Sequence, residues 1–576
     1  MKENGLVSPA GGRLTGEDGG NPPTGAPSSG TPAAGSFVLV WSSAVFLALL
    51  WGVLAASLRL THGNLAYALD DTYVHMAMAR HFAQDGVWGV TPFEFSNSSS
   101  APLWTLLLAG VFKLFGARSI LPFLLNVLTA MLAIFLFGRI VWRRLPEATR
   151  ATHLALSLAL ILFTPLVPLV FTGQEHTLQL ALTLLFADCA ARLTGGEAPT
   201  GGETPTGRFG RWLLPATALL LPMVRYESLF LILSFCLLAW RGHRRTALAV
   251  GALALAGPLL YGLVSVSHGW HLVPNTLLIK AHLPRGHAGR WVLLLTGLTA
   301  LRMLVENPHL LVLAASALLL LSLPEARERG LRRSDRHLLL LFLGALLLHL
   351  SLADTGWFYR YEAYLVALGV LAVGIGFVAL LRPALPPGAP APRPLRAFAG
   401  VAVMSCLLIT TAALARRGVT AALETPRATA NIYQQQVQIG LFLREYYEGA
   451  TVALNDIGAA DFFADIHCLD LAGLADRQAD TSVSVGGLYV AGINDEAIRR
   501  QGARLAVLYP SWFRIPPGWV PCGTWTMKDN VVNGDTRVAF FALDGAEVDP
   551  LTAHLREFSR RMPAEVEQSV RQNPGH

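Results

Sequence analysis

Two adjacent carboxylates, Asp70 and Asp71, stand just after the first long apolar segment, inside LDDTYVHMAMARHFAQDG at 69–86. Acids placed at the edge of a bilayer are costly and are usually functional. A carboxylate there suits a general base that accepts the proton of an attacking hydroxyl. Other loops carry residues that would complete such a site: Glu175 in TGQEHT (172–177), Arg225 and Glu227 in RYES (225–228), Asn275 and Lys280 in the loop 268–287, and Arg360 with Tyr361 in ADTGWFYRYEAY (353–364). Acids plus cations on one face point to group transfer from an anionic donor, with Arg or Lys stabilising a phosphate as it departs. One base then suffices and the anomeric centre inverts, whereas glycoside hydrolysis needs two opposed carboxyl groups. The same residues have plainer readings. Asp70 or Asp71 caps the helix that follows, Arg225 and Glu227 form a structural ion pair, and Lys280 and Arg360 snorkel to lipid headgroups.

The elements that must position these groups are membrane spans. Of 576 residues, 53% are hydrophobic and only 14% charged, too few polar side chains for a water-soluble globule. The formal charge is +7, and Lys and Arg cluster in short loops rather than along one face, which reports membrane orientation and not nucleic acid. Residues 1–36, rich in Gly, Pro, Ser and Thr, read as a disordered cytoplasmic tail. The run after it is too long for a signal peptide and reads as an uncleaved first span.

Span length predicts about eleven crossings over residues 37–415, with the external loop 60–118 between the first two. The apolar stretch 101–116 is short, and counting it as a crossing would invert every basic loop after it. It is therefore read as a helix embedded in the outer leaflet. With that choice the basic loops lie inside and the acid, cation and aromatic loops converge outside. The segment after Asp71 has apolar residues Val74, Ala77, Met78 and Phe82 at helical spacing and predicts a short amphipathic helix lying on the membrane surface.

After residue 415 the pattern becomes soluble. NIYQQQVQIGLFLREYY has helical periodicity, while TVALN, HCLDLAG, ARLAVLYP and RVAFFALD read as short strands. Residues 416–576 thus predict an extracytoplasmic α/β domain, so the fold class is a multi-span α-helical membrane protein with a C-terminal α/β domain. Asp456, Asp470 and Asp476 there are acceptor-binding or turn residues. No nucleotide-binding glycine pattern follows a strand. No internal repeat suggests the inverted halves of a transporter. The histidines of 268–287 match no zinc spacing, so no metal ligand is assigned and the need for a divalent cation stays open. An oxidising compartment would permit Cys468 and Cys522 to pair.

An outward-facing transferase has no nucleotide-sugar pool, so its activated donor must already sit in the membrane; a polyprenyl-phosphate sugar fits. At this point the chain resembles a known group. DD, Tyr73, a short helix reaching Arg80, Asp85-Gly86 and SSSAPLW (98–104) look like the first external loop of GT-C membrane glycosyltransferases, near the branch containing the mycobacterial terminal arabinofuranosyltransferase. TGQEHTL, VRYESL, VPNTLLIK, RYEAY, NDIGAADFF and LDLAGLAD extend the resemblance along the chain. It implies Asp70 as base with Asp71 beside it, Glu175 in a second acidic loop, and Arg225, Lys280 and Arg360 at the lipid phosphate. Glu227, Tyr73, Asn275 and Tyr361 then fall among possible substrate contacts. Departures from the pattern at 97–102 and at Arg225-Tyr226-Glu227 leave the sugar open. The expected function is inverting transfer from a polyprenyl-phosphate sugar to a hydroxyl of an envelope glycan, lipid or protein, in a bacterial cytoplasmic membrane. A flippase for a lipid-linked sugar and a non-catalytic envelope scaffold are the alternatives.

Overall fold

A computed structural model describes residues 32–196, 205–280, 290–324, 331–381, 393–475 and 491–572. Among them seven helices are long and apolar enough to cross a membrane, or eight if 297–306 and 308–322, bent by 108° at Asn307, form one broken span. Four shorter apolar helices of 12 to 14 residues stand beside them: Pro102–Phe115, Arg150–Phe163, 212–224 and Ser228–Ala239. The predicted eleven included segments of this short kind, which length alone does not qualify as crossings.

The helices that frame the site are α1 (Pro32–Leu60), α2 (Asp71–Gln84), α3 (Pro102–Phe115), α4 (Ile120–Arg144), α5 (Arg150–Phe163), α6 (Leu166–Phe171) and α7 (His176–Gly195). Helix Ala363–Leu380 is apolar all round and buried along most of its length, as expected for the centre of a bundle. At the end of α4 away from the acid pair, Arg144 binds Asp188 of α7 and Asp335 of helix Arg333–Leu352, so three helices are tied together by buried charges.

Helix α2 differs from its expected setting. The apolar stripe that predicted a surface helix is covered on both sides: Tyr73, Met76 and Ala77 join the bundle core, while Val74 and Met78 join the core of the C-terminal domain. The helix is a wedge between two cores, and only one end, near Phe82, stays open. Helix α3 begins on Pro102, where a missing N–H costs nothing. Lys113 near its end donates to the Ala83 carbonyl at 2.9 Å, fastening α3 to α2.

The expected domain boundary at 415 falls inside one helix, Arg393–Ile432, which passes through a π turn (Tyr433–Val437) into Gln438–Tyr446. Among the described residues eight strands follow: β1 (Thr451–Leu454), β2 (His467–Asp470), β3 (Ala491–Gly492), β4 (Leu505–Leu508), β5 (Phe513–Arg514), β6 (Val520–Met527), β7 (Arg537–Ala542) and β8 (Val566–Val570). Six form a mixed sheet ordered β2-β1-β4-β7-β6-β8, parallel through β2, β1 and β4 and antiparallel beyond; β3 pairs with β5. Cys468 lies in β2 and Cys522 in β6, and both are free. Four strand spacings separate them in the sheet, about 19 Å at the usual interstrand distance, which excludes a disulfide.

Candidate active site

Asp70 occupies the position before α2 but makes no capping bond to it. Its carboxylate reaches the C-terminal domain instead: Oδ2 accepts from Gly458 N at 2.8 Å and Oδ1 from Ala459 N at 2.9 Å. Those amides open the short helix Gly458–Phe463, in the loop that leaves the carboxyl end of β1. Only glycine fits at 458, because a Cβ there would lie 2.2 Å from the Asp70 carbonyl oxygen. Withdrawal from water pushes the Asp70 carboxyl well above the usual range, the Asp456 carboxyl adds to the rise, and the two amides oppose it. Asp456, in the same loop, is itself raised by burial although its Oδ2 accepts from Gln436 Nε2 at 2.8 Å and from the Tyr509 hydroxyl at 2.5 Å. The π turn sets Gln435 and Gln436 side by side, and the Tyr509 hydroxyl oxygen lies 2.9 Å from Gln435 Oε1.

Asp71 points the other way and pairs with Arg360. Arg360 is 1% exposed; its Nη1 donates to Gln174 Oε1 at 2.7 Å and its Nη2 to the Tyr361 hydroxyl at 3.2 Å. Arg225 binds Glu227 through two nitrogens and Glu175 Oε1 at 3.0 Å. Both guanidinium groups lie over the Tyr361 ring, Arg360 at 4.9 Å and Arg225 at 5.4 Å, so one ring attracts both cations. His75 of α2 stands 3.8 Å from Glu175 Oε2 and bonds Thr105 of α3 through Nδ1 at 2.9 Å. Burial keeps His75 below its ordinary range, hence neutral. Among the described residues, Gln174 Nε2, Glu175 Oε2, both ring nitrogens of His176 and Arg360 Nε are buried without a hydrogen-bond partner. Native interiors rarely leave so many polar atoms unmatched, and groups of this kind are ready to take ligand hydroxyls or water.

The backbone that presents Arg360 is unusual. Gly356, Trp357, Phe358 and Tyr359 all have φ between 38° and 81°, one turn wound left-handed ahead of Arg360. Each non-glycine residue so wound costs about 1–2 kcal/mol. The turn is held from outside: Glu362 accepts from Gly356 N at 2.8 Å, Arg417 donates to the Tyr359 carbonyl at 2.9 Å, and Tyr359 donates to Glu424 at 2.7 Å. Backbone strain kept in place by its surroundings is characteristic of functional sites.

Asp70, Asp71, Glu175, Arg225, Glu227, Arg360 and Tyr361 thus gather in one region. A cavity of ≈ 260 Å³ opens beside it, lined by Arg225, Tyr226, Glu227 and Tyr361 with Leu229, Phe230, Leu277 and Leu352 among its apolar walls. Two predicted residues are taken up by packing and loop contacts. Tyr73 is buried between Tyr67, Phe462 and Phe463, its hydroxyl accepting from Tyr67 N at 3.3 Å. Asn275 bonds the Gly473 carbonyl at 3.4 Å and ties its loop to the C-terminal domain. Lys280 ends the helix Asn275–Lys280, and its side chain lies outside the described residues, as do residue 476 and the histidines at 282 and 287. Gln174, His75 and Gly458 went unmarked as site residues, and Asp456 was marked only as an acceptor-binding or turn residue. For Asp456 and Gly458 the available signal was the NDIG turn after a predicted strand. Among the described residues no three His, Cys, Asp or Glu side chains gather as a metal site.

A bundle of apolar helices, an acid pair at the head of its first loop helix and a mixed-sheet domain that grips Asp70 of that pair define an integral membrane protein whose fold has solved counterparts. ArnT from Cupriavidus metallidurans, solved bound to undecaprenyl phosphate, superposes with a TM-score of 0.51 over 87% of this chain and 98% of its own, at 15% sequence identity. The oligosaccharyltransferase from Archaeoglobus fulgidus, in the apo form, gives 0.46 over 87% of this chain and 75% of its own at 12% identity. Residues 430–541 match a family described as a domain of unknown function, DUF8728. No curated protein matches the chain.

Proposed function

We propose that this protein is an inverting glycosyltransferase that takes a sugar from a polyprenyl-phosphate donor and passes it to a hydroxyl of an envelope glycan, lipid or protein. The reaction runs on the outer face of a bacterial cytoplasmic membrane. In this reading the chain crosses about eleven times, with its N-terminus in the cytoplasm and its C-terminal domain outside. Asp70 accepts the proton as the acceptor oxygen bonds to the anomeric carbon. The bond from that carbon to the phosphate oxygen breaks, and polyprenyl phosphate leaves with both electrons. Arg360 and Arg225 offset the charge it carries away. The sugar lies against the unmatched polar atoms of Gln174, Glu175 and His176, and the lipid enters by the apolar cavity.

The observation that carries the proposal is the convergence of the acid pair with two buried arginines over one tyrosine ring, where a transferring phosphoester needs both functions. A solved GT-C fold with undecaprenyl phosphate bound adds to it. The arabinofuranosyltransferase-like motifs put pentoses first among donors to test. Purified protein in nanodiscs is supplied with undecaprenyl-phosphoryl pentoses and hexoses, and release of undecaprenyl phosphate is followed by mass spectrometry. Release by the native protein and none by Asp70→Asn is expected; equal release by both rules out the assignment of the base.

A further inference from the structure

The C-terminal domain makes direct contacts with Asp70. Both Asp70 oxygens are held by amides from residues 458 and 459, far along the chain, and by no amide of α2. The loop that supplies them leaves the carboxyl end of a parallel strand flanked by β2 and β4, where α/β sheets place their functional groups. The approach is so close that residue 458 admits no side chain. Two further bonds fix α2 to the same short helix and the turn after it: Arg80 reaches the Asp461 carbonyl at 3.3 Å and pairs with Asp465.

We propose that the C-terminal domain is the second half of the reaction centre. The loop 455–459 orients the Asp70 carboxylate through two backbone amides and also carries the Asp456 carboxyl. This gives the domain of unknown function a task in this chain: it is a positioning element, and Asp456 and Gly458 are positioning residues. The inference rests on Asp70 being the base for its consequence in catalysis, but not for the contact itself.

Several groups face Asp70. Asp71 is its neighbour, with Arg360 beyond it; Tyr73 comes from α2; Asp456, Asp461, Cys468 and Tyr509 come from the C-terminal domain. Most of these are acids or weak acids, so each carboxylate that ionises opposes the next, and the cluster releases its protons in coupled steps. Removing the Asp456 charge takes away one such opponent. The carboxyl of Asp70 must then ionise at lower pH.

The test uses the full chain in nanodiscs and two readouts. The first needs no sugar donor: pH-titrated infrared difference spectra follow the protonated carboxyl band, assigned to Asp70 by its loss in Asp70→Asn. The native midpoint should lie above the ordinary carboxylate range, and in Asp456→Asn it should fall by about one pH unit or more, the size of shift a neighbouring charge commonly causes. The second is transfer kinetics. Gly458→Ala should lower kcat about a hundredfold while the donor KM stays within a factor of about two, because a displacement near 1 Å disturbs orientation and not binding. An unmoved midpoint in a well-folded Asp456→Asn overturns the proposal, even if that variant melts earlier, since packing alone would cause that. Inactive Asp70→Asn with an unmoved midpoint sinks the positioning claim and keeps the enzyme; a shifted midpoint without any transfer does the reverse. If Gly458→Ala fails to fold, Tyr509→Phe replaces it. Loss of the bond to Asp456 should then leave Asp456 more often protonated and move the Asp70 midpoint downward, and no shift counts against the proposal.

Discussion

The two adjacent aspartates offer a sharp experiment, because the structure gives them opposite surroundings. Asp70 is held by neutral amides and keeps lone pairs for a proton, whereas Asp71 is engaged with Arg360. Asp70→Asn removes the base and should lower kcat by about 10²–10⁴-fold with little change in donor binding. Asp71→Asn frees a guanidinium that a lipid phosphate must otherwise win from a carboxylate. Two unit charges about 4 Å apart at an effective dielectric near 20 attract by about 4 kcal/mol. The Asp71 side chain is 32% exposed, so solvent reduces this to about 2 kcal/mol. Undecaprenyl phosphate should therefore bind Asp71→Asn about thirtyfold tighter, at 1.4 kcal/mol per factor of ten. Calorimetric titration of purified native protein and both variants measures this directly. If Asp71→Asn binds undecaprenyl phosphate no tighter, Arg360 does not receive the phosphate. If Asp71→Asn loses turnover while Asp70→Asn keeps it, the roles of the pair are exchanged.

Other outcomes follow from the same contacts. Arg225→Ala leaves Glu175 and Glu227 buried with their shared cation gone, and should cost about 3–5 kcal/mol, read as a clear fall in the thermal midpoint in detergent; an unchanged midpoint would show that the pairs do not hold the fold. Tyr73→Phe removes one long hydrogen bond from a packed ring and should cost about 1 kcal/mol of stability with kcat and KM retained; a large loss of turnover would return Tyr73 to the substrate. Because a base works only when ionised, turnover should rise with pH through the elevated Asp70 range instead of levelling off in the ordinary carboxylate range, as a pH–rate profile will show.

Much of this was readable beforehand because apolar runs and loop charges act locally. The long helices, the placement of α3 outside the set of full-length spans and strands β1, β2, β4 and β7 all follow from runs of residue types. Strand β6 was missed: VPCGTWTM carries Pro and Gly, and its place comes from pairing with β7 and β8. The setting of α2 was misjudged because periodicity marks one apolar stripe, while a helix between two cores buries small and polar residues such as Thr72 and Ala79 as well. The gathering of Asp71, Glu175, Arg225 and Arg360 was foreshadowed by their shared loop side. The grip of Gly458 and Ala459 on Asp70 was not, since it joins residues 388 positions apart and uses backbone amides that every residue but proline offers.

The reversed turn ahead of Arg360 carries one more consequence. A guanidinium on a flexible stem would ordinarily find its partner by rotating its own bonds, but here the chain's handedness sets its bearing. Trp357, with half its surface open, has no packing reason to keep that backbone wound, so the hold exerted by Glu362, Arg417 and Glu424 must come from the long helix and from the loop itself. Arg417 and Glu424 belong to the same helix that continues into the C-terminal domain. One rod thus braces the cation's turn along its second half and carries, beyond its end, the domain that grips the base.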